Sequence, residues 1–197
     1  DLSYIFQNTL FEYADFLETY SSYKIQHATS LWYQNTQDIS MPYLEGSIFE
    51  AIQSMLFQKS KRIKKFNISV INSSTFPSIN NSLFSSSKLK ECEFKFVVLN
   101  GQNTNVDNYI NLISIRSKRI QTIRIIAYNN DIPSNCQELF LNLINNQTDL
   151  KELELDYFIT TSFGHLLQRD MLQLKSQILQ KLVLQGIKFN KDKLANL

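Results

Sequence analysis

The stretch LKELELDYF at residues 150–158 has a near copy in LQKLVLQGI at residues 179–187. Both stretches contain the pattern apolar-x-x-apolar-x-apolar, and the two copies begin 29 residues apart. A search for this pattern finds five segments, whose first residues are 26, 31, 30 and 29 positions apart. The five segments are Ile63-Phe66-Ile68, Leu89-Cys92-Phe94, Ile120-Ile123-Ile125, Leu150-Leu153-Leu155 and Leu179-Leu182-Leu184. Because a regular period of roughly 20 to 50 residues is typical of repeat proteins, the repeat is the feature that predicts the fold.

Each segment ends in an alternation of apolar and polar residues, as in Leu153-Glu154-Leu155-Asp156. This alternation predicts a short strand with one buried face. We expect the polar residues of the strands, among them Arg124, Glu152, Glu154 and Lys181, to be exposed. The apolar residues expected in the core are Ile123, Ile125, Leu153, Leu155, Leu182 and Leu184.

Between the segments, the apolar residues recur at the spacing of an amphipathic helix. The clearest such stripe consists of Cys136, Leu139, Phe140, Leu143 and Ile144. Ser134 and Gln137 are candidates for the capping box of this helix. Further helical stripes are predicted at Val106, Tyr109, Ile110 and Ile113, from Phe163 to Leu174, and at Ile48, Ala51, Ile52, Met55 and Leu56, where Ser47 and Glu50 start the helix.

The first part of the chain and one interval are less regular. A first helix is predicted from Leu2, Phe6, Leu10, Tyr13 and Leu17. The stretch HATSLWY at residues 27–33 is interpreted as a degenerate strand. Residues 72–87 are rich in Ser and Asn and include Pro77, which favours a short helix or a turn.

The phrase Leu-x-x-Leu-x-Leu, with one strand and one helix per unit, resembles the leucine-rich repeat family over about residues 45–190. The length near 29 residues resembles the ribonuclease-inhibitor-like branch of that family. The resemblance implies an α/β solenoid, a horseshoe arc with a parallel concave sheet and convex helices. The family's usual Asn or Cys after the strand is replaced by apolar residues, which we expect to fill the turn with apolar bulk. These residues are Ile71, Val97, Tyr128, Phe158 and Ile187.

We interpret residues 1–197 as one repeat domain and as a fragment of a longer chain. Residues 1–44 form a degenerate N-terminal repeat or cap, and residues 45–197 form regular repeats. The final stretch, LQKLVLQGIKFNKDKLANL, finishes with a strand and the opening of another helix. Because a terminal repeat needs a polar cap, we expect residues 179–197 to be followed by further repeats or packed against another protein, and the isolated chain to self-associate.

Bulk composition excludes several classes of function. With 197 residues and 43% hydrophobic content, the chain can fill a core. Its formal net charge of +2 selects neither nucleic acid nor an anionic membrane. No apolar run approaches the roughly 18 residues that span a bilayer, so no membrane insertion is expected.

Cys92 and Cys136 occupy apolar periodic positions and are predicted to be reduced, buried thiols, which fits an intracellular, cytoplasmic protein. The abundance of Asn, Lys, Ile and Phe favours an AT-rich protist genome.

The outward positions of the predicted strands form three rows on the concave face. The first row is Lys65, Glu91, Thr122, Glu152 and Lys181; the second is Asn67, Glu93, Arg124, Glu154 and Val183; the third is Ser69, Lys95, Ile126, Asp156 and Gln185. Glu93, Arg124 and Glu154 are predicted to stand side by side as an acid-base-acid ladder. The ladder is either a surface charge ladder of roughly 0.2–1 kcal/mol per pair or part of a protein-binding patch, to which Ile126 and Val183 add apolar contacts.

Candidate catalytic groups are few. KSKRIKK at residues 59–65 matches an RNA-binding or nuclear signal, but Lys59, Lys61 and Arg62 are expected to close a helix, where cations suit the negative end of its dipole. His27 and His165 lack a catalytic partner in the sequence. The acids of residues 152–156 alternate along one strand, without the opposing acid or apolar pocket that separates pKa values. We therefore expect no catalytic residues, no metal and no cofactor.

The sequence favours a non-catalytic protein-protein interaction module, a structural or scaffold part of a larger assembly. The alternative is a substrate-recognition or regulatory adaptor region of a ligase, kinase or GTPase-regulating protein, and nucleic acid binding is the least favoured. The partner is expected to be another protein, because extended repeat surfaces usually bind proteins. Its candidate binding residues are Lys65, Glu91, Glu93, Lys95, Arg124, Ile126, Glu152, Glu154, Asp156, Lys181 and Val183.

Overall fold

The chain forms an α/β fold built on one parallel sheet. The computed structural model describes residues 14, 16–36, 44–60, 62–70, 88–97, 106–128, 132, 134–157 and 178–185. The strands are β1 (Thr19–Ser21), β2 (Lys65–Val70), β3 (Glu91–Phe96), β4 (Thr122–Ala127), β5 (Glu152–Tyr157) and β6 (Lys181–Gln185). The helices are α1 (Ser22–Thr36), α2 (Leu44–Lys59), α3 (Val106–Arg116) and α4 (Ser134–Asn145).

The six strands lie in the sheet in the same order as in the chain, and all neighbours are parallel. The register is also set at the start of the strands, where one carbonyl accepts two N–H groups. The Lys64 carbonyl accepts the N–H of Lys90 at 2.8 Å and the N–H of Glu91 at 3.0 Å. The same pair of bonds recurs at the carbonyls of Glu18, Lys90, Gln121 and Lys151. Consecutive strands therefore start at equivalent positions, with no slip between them.

The core lies between the helices and one face of the sheet. A single cluster of buried apolar side chains runs from Tyr20 to Leu155. In the middle of this cluster the ring of Phe140 in α4 packs edge-on against Phe94, with centroids 5.0 Å apart, and against Phe96 at 6.0 Å. The predicted helices at α3 and α4 and the predicted strand alternation are confirmed. Burying apolar surface on both elements at once stabilises each against the other, since neither could exist alone in water.

The predicted core residues are confirmed in β4 and β5 and wrong in β6. Ile123, Ile125 and Leu155 are fully buried and Leu153 is nearly so, whereas Leu182 is 38% exposed. Among the described residues, β6 pairs with β5 alone, so a side chain on β6 has a strand neighbour on one side only. Leu184 is half-buried and packs against the edge of the cluster.

The interpretation of residues 27–33 as a strand is wrong, because these residues lie inside α1. The first strand is β1, and the local phrase is Leu17-x-x-Tyr20-x-Ser22. Leu17, predicted to belong to a helix, precedes β1 and packs against the core, and Tyr20 pairs with Phe66. Ser22 takes the third position, where its buried hydroxyl accepts the N–H of Ser69 at 2.9 Å. A search for three apolar residues misses this phrase, because a hydrogen bond replaces the third apolar contact.

Helix α2 has a different start and a different buried face from those predicted. It begins at Leu44, before Ser47, which is exposed within the helix. The side chains buried in the core are Phe49, Gln53, Leu56 and Phe57. Ala51 of the predicted stripe is exposed, and Ile48, Ile52 and Met55 are half-buried. The helix is rotated because Phe57 packs against Tyr20, 4.7 Å between ring centroids, and against Phe66 at 5.8 Å.

Other local expectations concern a helix start and two turns. The Nε2 of Gln137 donates to the Ile132 carbonyl at 2.8 Å, and nothing is described of the Ser134 side chain, so the capping box stays a prediction. After β4, Tyr128 is 51% exposed and does not fill the turn, whereas Val97 is half-buried after β3. Of the helix predicted from Leu2 to Leu17, Ala14 and Phe16 are helical, and residues 2–13 lie outside the described residues. The predicted helix at residues 163–174, the irregular interval 72–87, and the turn residues Ile71, Phe158 and Ile187 also lie outside the described residues.

The buried pair formed by Tyr20 and Gln53 yields a testable prediction. The Tyr20 hydroxyl donates to Gln53 Oε1, and both side chains are fully buried. Burial, with a smaller contribution from Tyr109, holds the pKa of Tyr20 well above its usual value, so the hydroxyl stays protonated. Tyr20→Phe removes the donor and leaves a buried amide, which should lower the free energy of unfolding by about 1–3 kcal/mol.

The measurement is urea denaturation of the two single variants and the double variant. Tyr20→Phe combined with Gln53→Met removes both buried polar groups and should cost less than the two single changes added together. Additive costs would show that the two side chains are not coupled and would contradict the assignment of this hydrogen bond.

Candidate functional site

The candidate site is the sheet face opposite the helices, which we call the open face. The strand register places the eleven predicted binding residues on it, in the three predicted rows. Lys65 stands beside Glu91 in the first row, Arg124 between Glu93 and Glu154 in the second, and Ile126 between Lys95 and Asp156 in the third. The alternation of the strands predicted these neighbours correctly, because successive side chains of a strand point to opposite faces.

Arg124 is the centre of an ion-pair network on the open face. Its Nε donates to Glu154 Oε2 at 3.1 Å. Its Nη1 lies 3.8 Å from Glu91 Oε2, and its Nη2 lies 3.8 Å from Glu152 Oε2. Lys65 extends the network, because its Nζ lies 2.9 Å from Glu91 Oε1. One guanidinium thus faces carboxylates from both neighbouring strands, and five residues from four strands hold one another in place.

The predicted acid-base-acid ladder is only half correct. Arg124 binds Glu154, but Glu93 pairs with Lys95 of its own strand at 2.9 Å. The guanidinium turns toward the first row, where Glu91 and Glu152 offer two carboxylates. Arg124 and Glu154, expected to be exposed, retain only 30% and 28% of their side-chain exposure. Such half-buried pairs contribute about 1 kcal/mol or less each, so the network orders the surface more than it stabilises the fold.

The open face combines charges of both signs with apolar contacts. Ile126 and Val183 are half-buried, and each stands beside an acid of the neighbouring strand, Asp156 and Glu154 respectively. The candidate set contains five acidic and four basic residues, so it has no strong net charge. A rigid array of mixed charges and aliphatic side chains suits recognition of a protein surface, where charges set the register and apolar groups supply contact area.

The groups on which nucleophilic or metal chemistry would depend are the two cysteines and the described His, Asp and Glu residues. Both cysteines are free and buried. Burial raises the pKa of the Cys92 thiol and, with a smaller contribution from Asp107, raises that of Cys136 to about 12, so both stay protonated at neutral pH. Within the described ranges, no three His, Cys, Asp or Glu residues lie close enough to hold a metal ion. His27 is exposed on α1, with its ring stacked on Tyr23 at 6.0 Å, and His165 lies outside the described ranges.

The sequence analysis missed an apolar groove between α1 and α2. Its volume is about 310 Å³, and it is lined by Ile25, Ala28 and Trp32 of α1 and by Ile52 and Leu56 of α2. The signal was present in the sequence, since the stripe at Ile48, Ile52 and Met55 is apolar. That stripe was assigned to the core, which Phe49 and Phe57 occupy instead.

The cationic stretch at residues 59–65 closes a helix only in part as expected. Helix α2 ends at Lys59, and Arg62 lies beyond it. Lys64 immediately precedes β2 and pairs with Glu18 at 2.7 Å, and Lys65 is the first residue of β2. Lys61 lies outside the described residues, and the stretch places Lys59 at the end of a helix and Lys64 and Lys65 at the start of a strand.

Comparisons of the whole chain with protein-family models, curated proteins and solved structures find no match. Among the described helices, none combines the length and the hydropathy needed to cross a bilayer.

Proposed function

We propose that the chain is a leucine-rich-repeat-like solenoid, with the open face as its concave side, that serves as a non-catalytic protein-protein interaction module in a larger intracellular assembly. Its partner is another protein. The observation that carries the proposal is the ordered array on the open face, where Arg124 joins carboxylates of both neighbouring strands beside exposed parts of Ile126.

The order of the strands supports the repeat architecture. A parallel sheet whose strands follow the chain order, with the same pair of N–H bonds at every strand start, is the arrangement expected when successive units stack on their neighbours. Each unit places one strand beside the last. The open face therefore widens with each unit, by about 4.8 Å per strand.

The rigidity of the open face supports a binding role. Its side chains are held by ion pairs before a partner arrives, so less side-chain entropy is lost on binding. The half-buried Arg124 has its charge balanced within the chain, which leaves Asp156 and Ile126 in the third row as candidates for contact. The proposal predicts that residues near Ile126 touch the partner directly.

Site-specific photocrosslinking tests this prediction. A photoreactive phenylalanine analogue replaces Ile126 on the open face or, as a control, the exposed Asn142 of α4 on the helical side. After illumination in an extract of the source cells, we expect a discrete crosslinked protein from position 126 and none from position 142. Asp156→Lys should lower the crosslinking yield at position 126 at least about fivefold, because it reverses a neighbouring charge.

Two outcomes would overturn the proposal. One is crosslinking from both positions to the same set of proteins, which indicates adhesion without a defined face. The other is the absence of any crosslinked protein from position 126 when the variant is folded, as shown by a circular dichroism spectrum equal to that of the original chain.

A further inference from the structure

A second charged surface follows the edge of the sheet where the strands begin. The residues immediately before the strands form a continuous hydrogen-bonded row. In this row the N–H of each residue donates to the carbonyl of the residue that immediately precedes the neighbouring strand. Every bond in the row is 2.8 Å long. The row consists of Glu18, Lys64, Lys90, Gln121, Lys151 and Gln180. Since neighbouring strands are about 4.8 Å apart, the residues of this row are spaced regularly along one edge of the sheet.

Cations gather along this row, and we call them the basic edge. They are Arg62, Lys64, Lys88, Lys90, Lys118, Arg119 and Lys151. Six of the seven are exposed, and Lys90 is half-buried. The described acids among them are Glu18 and Asp149, so this edge alone carries more positive charge than the formal +2 of the entire chain. The open face, with its five acids and four bases, lacks this excess.

Hydrogen bonds and neighbouring cations hold the two acids of the basic edge in their ionised form. A hydrogen bond from Lys64 and the charges of Lys64 and Arg62 hold the pKa of Glu18 below its usual value. Hydrogen bonds from Thr148 and Arg119 do the same for Asp149, and the charge of Lys90 contributes across two strands. The two acids therefore remain ionised at neutral pH and offset only part of the positive charge.

We propose that the basic edge binds an extended, acidic segment of a partner protein, whose carboxylates lie along the row from Lys64 to Lys151. This distance covers three strand spacings, or about 14 Å. An extended chain rises about 3.3 Å per residue, so four or five residues cover the distance. A short run of Glu or Asp thus places carboxylates within reach of Lys64, Lys90 and Lys151 together. This surface is separate from the open face and does not depend on its function.

The groups between the cations favour a peptide over a nucleic acid. Glu18 and Asp149 repel phosphates and carboxylates alike, but the backbone N–H groups of a peptide can donate to these two acceptors, which the phosphate groups of a nucleic acid cannot. The carboxamides of Gln121 and Gln180, in the same row, can both donate to and accept from a peptide backbone. Nucleic acid surfaces usually add aromatic stacking platforms. Among the described residues of this edge, the exposed aromatic ring is that of Phe16, and it lies beneath the Arg62 guanidinium at 5.7 Å.

The test measures binding of a fluorescein-labelled ten-residue peptide that contains five consecutive glutamates, by fluorescence anisotropy at 50 mM and 200 mM NaCl. The edge variant is Lys90→Glu with Lys151→Glu. The control variant is Lys24→Glu with Ala51→Glu and Asn142→Glu, which lowers the net charge by the same amount at exposed positions of the helices. We expect binding to weaken at least about tenfold in the edge variant and less than about twofold in the control, with all affinities lower at the higher salt concentration.

A labelled ten-nucleotide oligouridine provides the second arm. It should bind more weakly than the peptide at both salt concentrations. If the edge variant loses its circular dichroism signal, Lys88→Glu with Lys151→Glu replaces it, because both of those side chains are exposed. Equal losses in the edge and control variants, tighter binding of the oligouridine, or no binding of the peptide to the original chain at 100 µM would each overturn the proposal. None of these results bears on crosslinking from Ile126.

Discussion

Leu153→Asp is expected to lower the free energy of unfolding by roughly 3–5 kcal/mol, one of the two largest effects among the single changes considered. Leu153 of β5 is 2% exposed. It pairs with Ile123 of β4 on one side and with Leu182 of β6 on the other. An aspartate there would place a carboxylate among apolar side chains that cannot pair with it. Because the core is one continuous cluster from Tyr20 to Leu155, we expect the loss to be felt throughout the described fold.

The single tryptophan makes this prediction measurable at a distance. Trp32 lies in α1, which packs near the start of the sheet, whereas Leu153 lies in β5. In urea, the transition followed by tryptophan fluorescence should move to lower concentration together with the transition followed by circular dichroism. Ile126→Asp makes the same chemical change on the open face of β4 and should cost about 1 kcal/mol or less. An unchanged fluorescence transition would show that damage in β5 stays local.

Phe66→Ala is expected to cost roughly 3–5 kcal/mol, the usual range for removing a buried aromatic ring. Phe66 is fully buried, with its ring stacked on Tyr20 at 4.7 Å and lying 5.8 Å from Phe57 and 6.3 Å from Tyr109. These four rings come from β1, α2, β2 and α3. Removing the central one leaves a cavity that the other three can close only by moving the elements that carry them.

Two further variants distinguish the cost of the cavity from the cost of losing an aromatic ring. Phe66→Leu keeps most of the volume and should cost less than half as much as Phe66→Ala. Tyr128→Ala removes an aromatic ring that is 51% exposed and should change the free energy of unfolding by about 0.5 kcal/mol or less. Denaturation midpoints of the three variants in urea provide the comparison. Equal costs for Phe66→Ala and Tyr128→Ala would contradict the assignment of Phe66 to the centre of the aromatic cluster.

The strands from β2 to β6 and the rows of the open face were predictable from the sequence, because their signal is local. The alternation in residues 152–157 decides which side chains point inward, and a recurring phrase aligns each strand with the next. Once the register was known, the neighbours of Arg124 followed. Which neighbour it binds did not follow, because a flexible side chain chooses among several carboxylates by distances that only the assembled sheet defines.

The beginning of the chain was not predictable in the same way. In Leu17-x-x-Tyr20-x-Ser22 the third apolar residue is replaced by a hydroxyl, and its hydrogen bond to Ser69 joins residues far apart in the sequence. The rotation of α2 also depends on distant partners, since Phe57 is drawn to Tyr20 and Phe66. Both features depend on packing between elements, about which a local hydrophobic pattern carries no information.

The sequence by itself determined the period, the strand register and the inward and outward sides of each strand, since these follow from the spacing of neighbouring residues. Only the tertiary structure decided that the cations of residues 62–64, 88–90, 118–119 and 151 form one edge. The groups are short and lie far apart in the sequence, and they form one basic edge only because consecutive strands start level with one another. The charge of each residue can be read from the sequence, but a charged surface forms only where the backbone hydrogen bonds between strands bring such residues together.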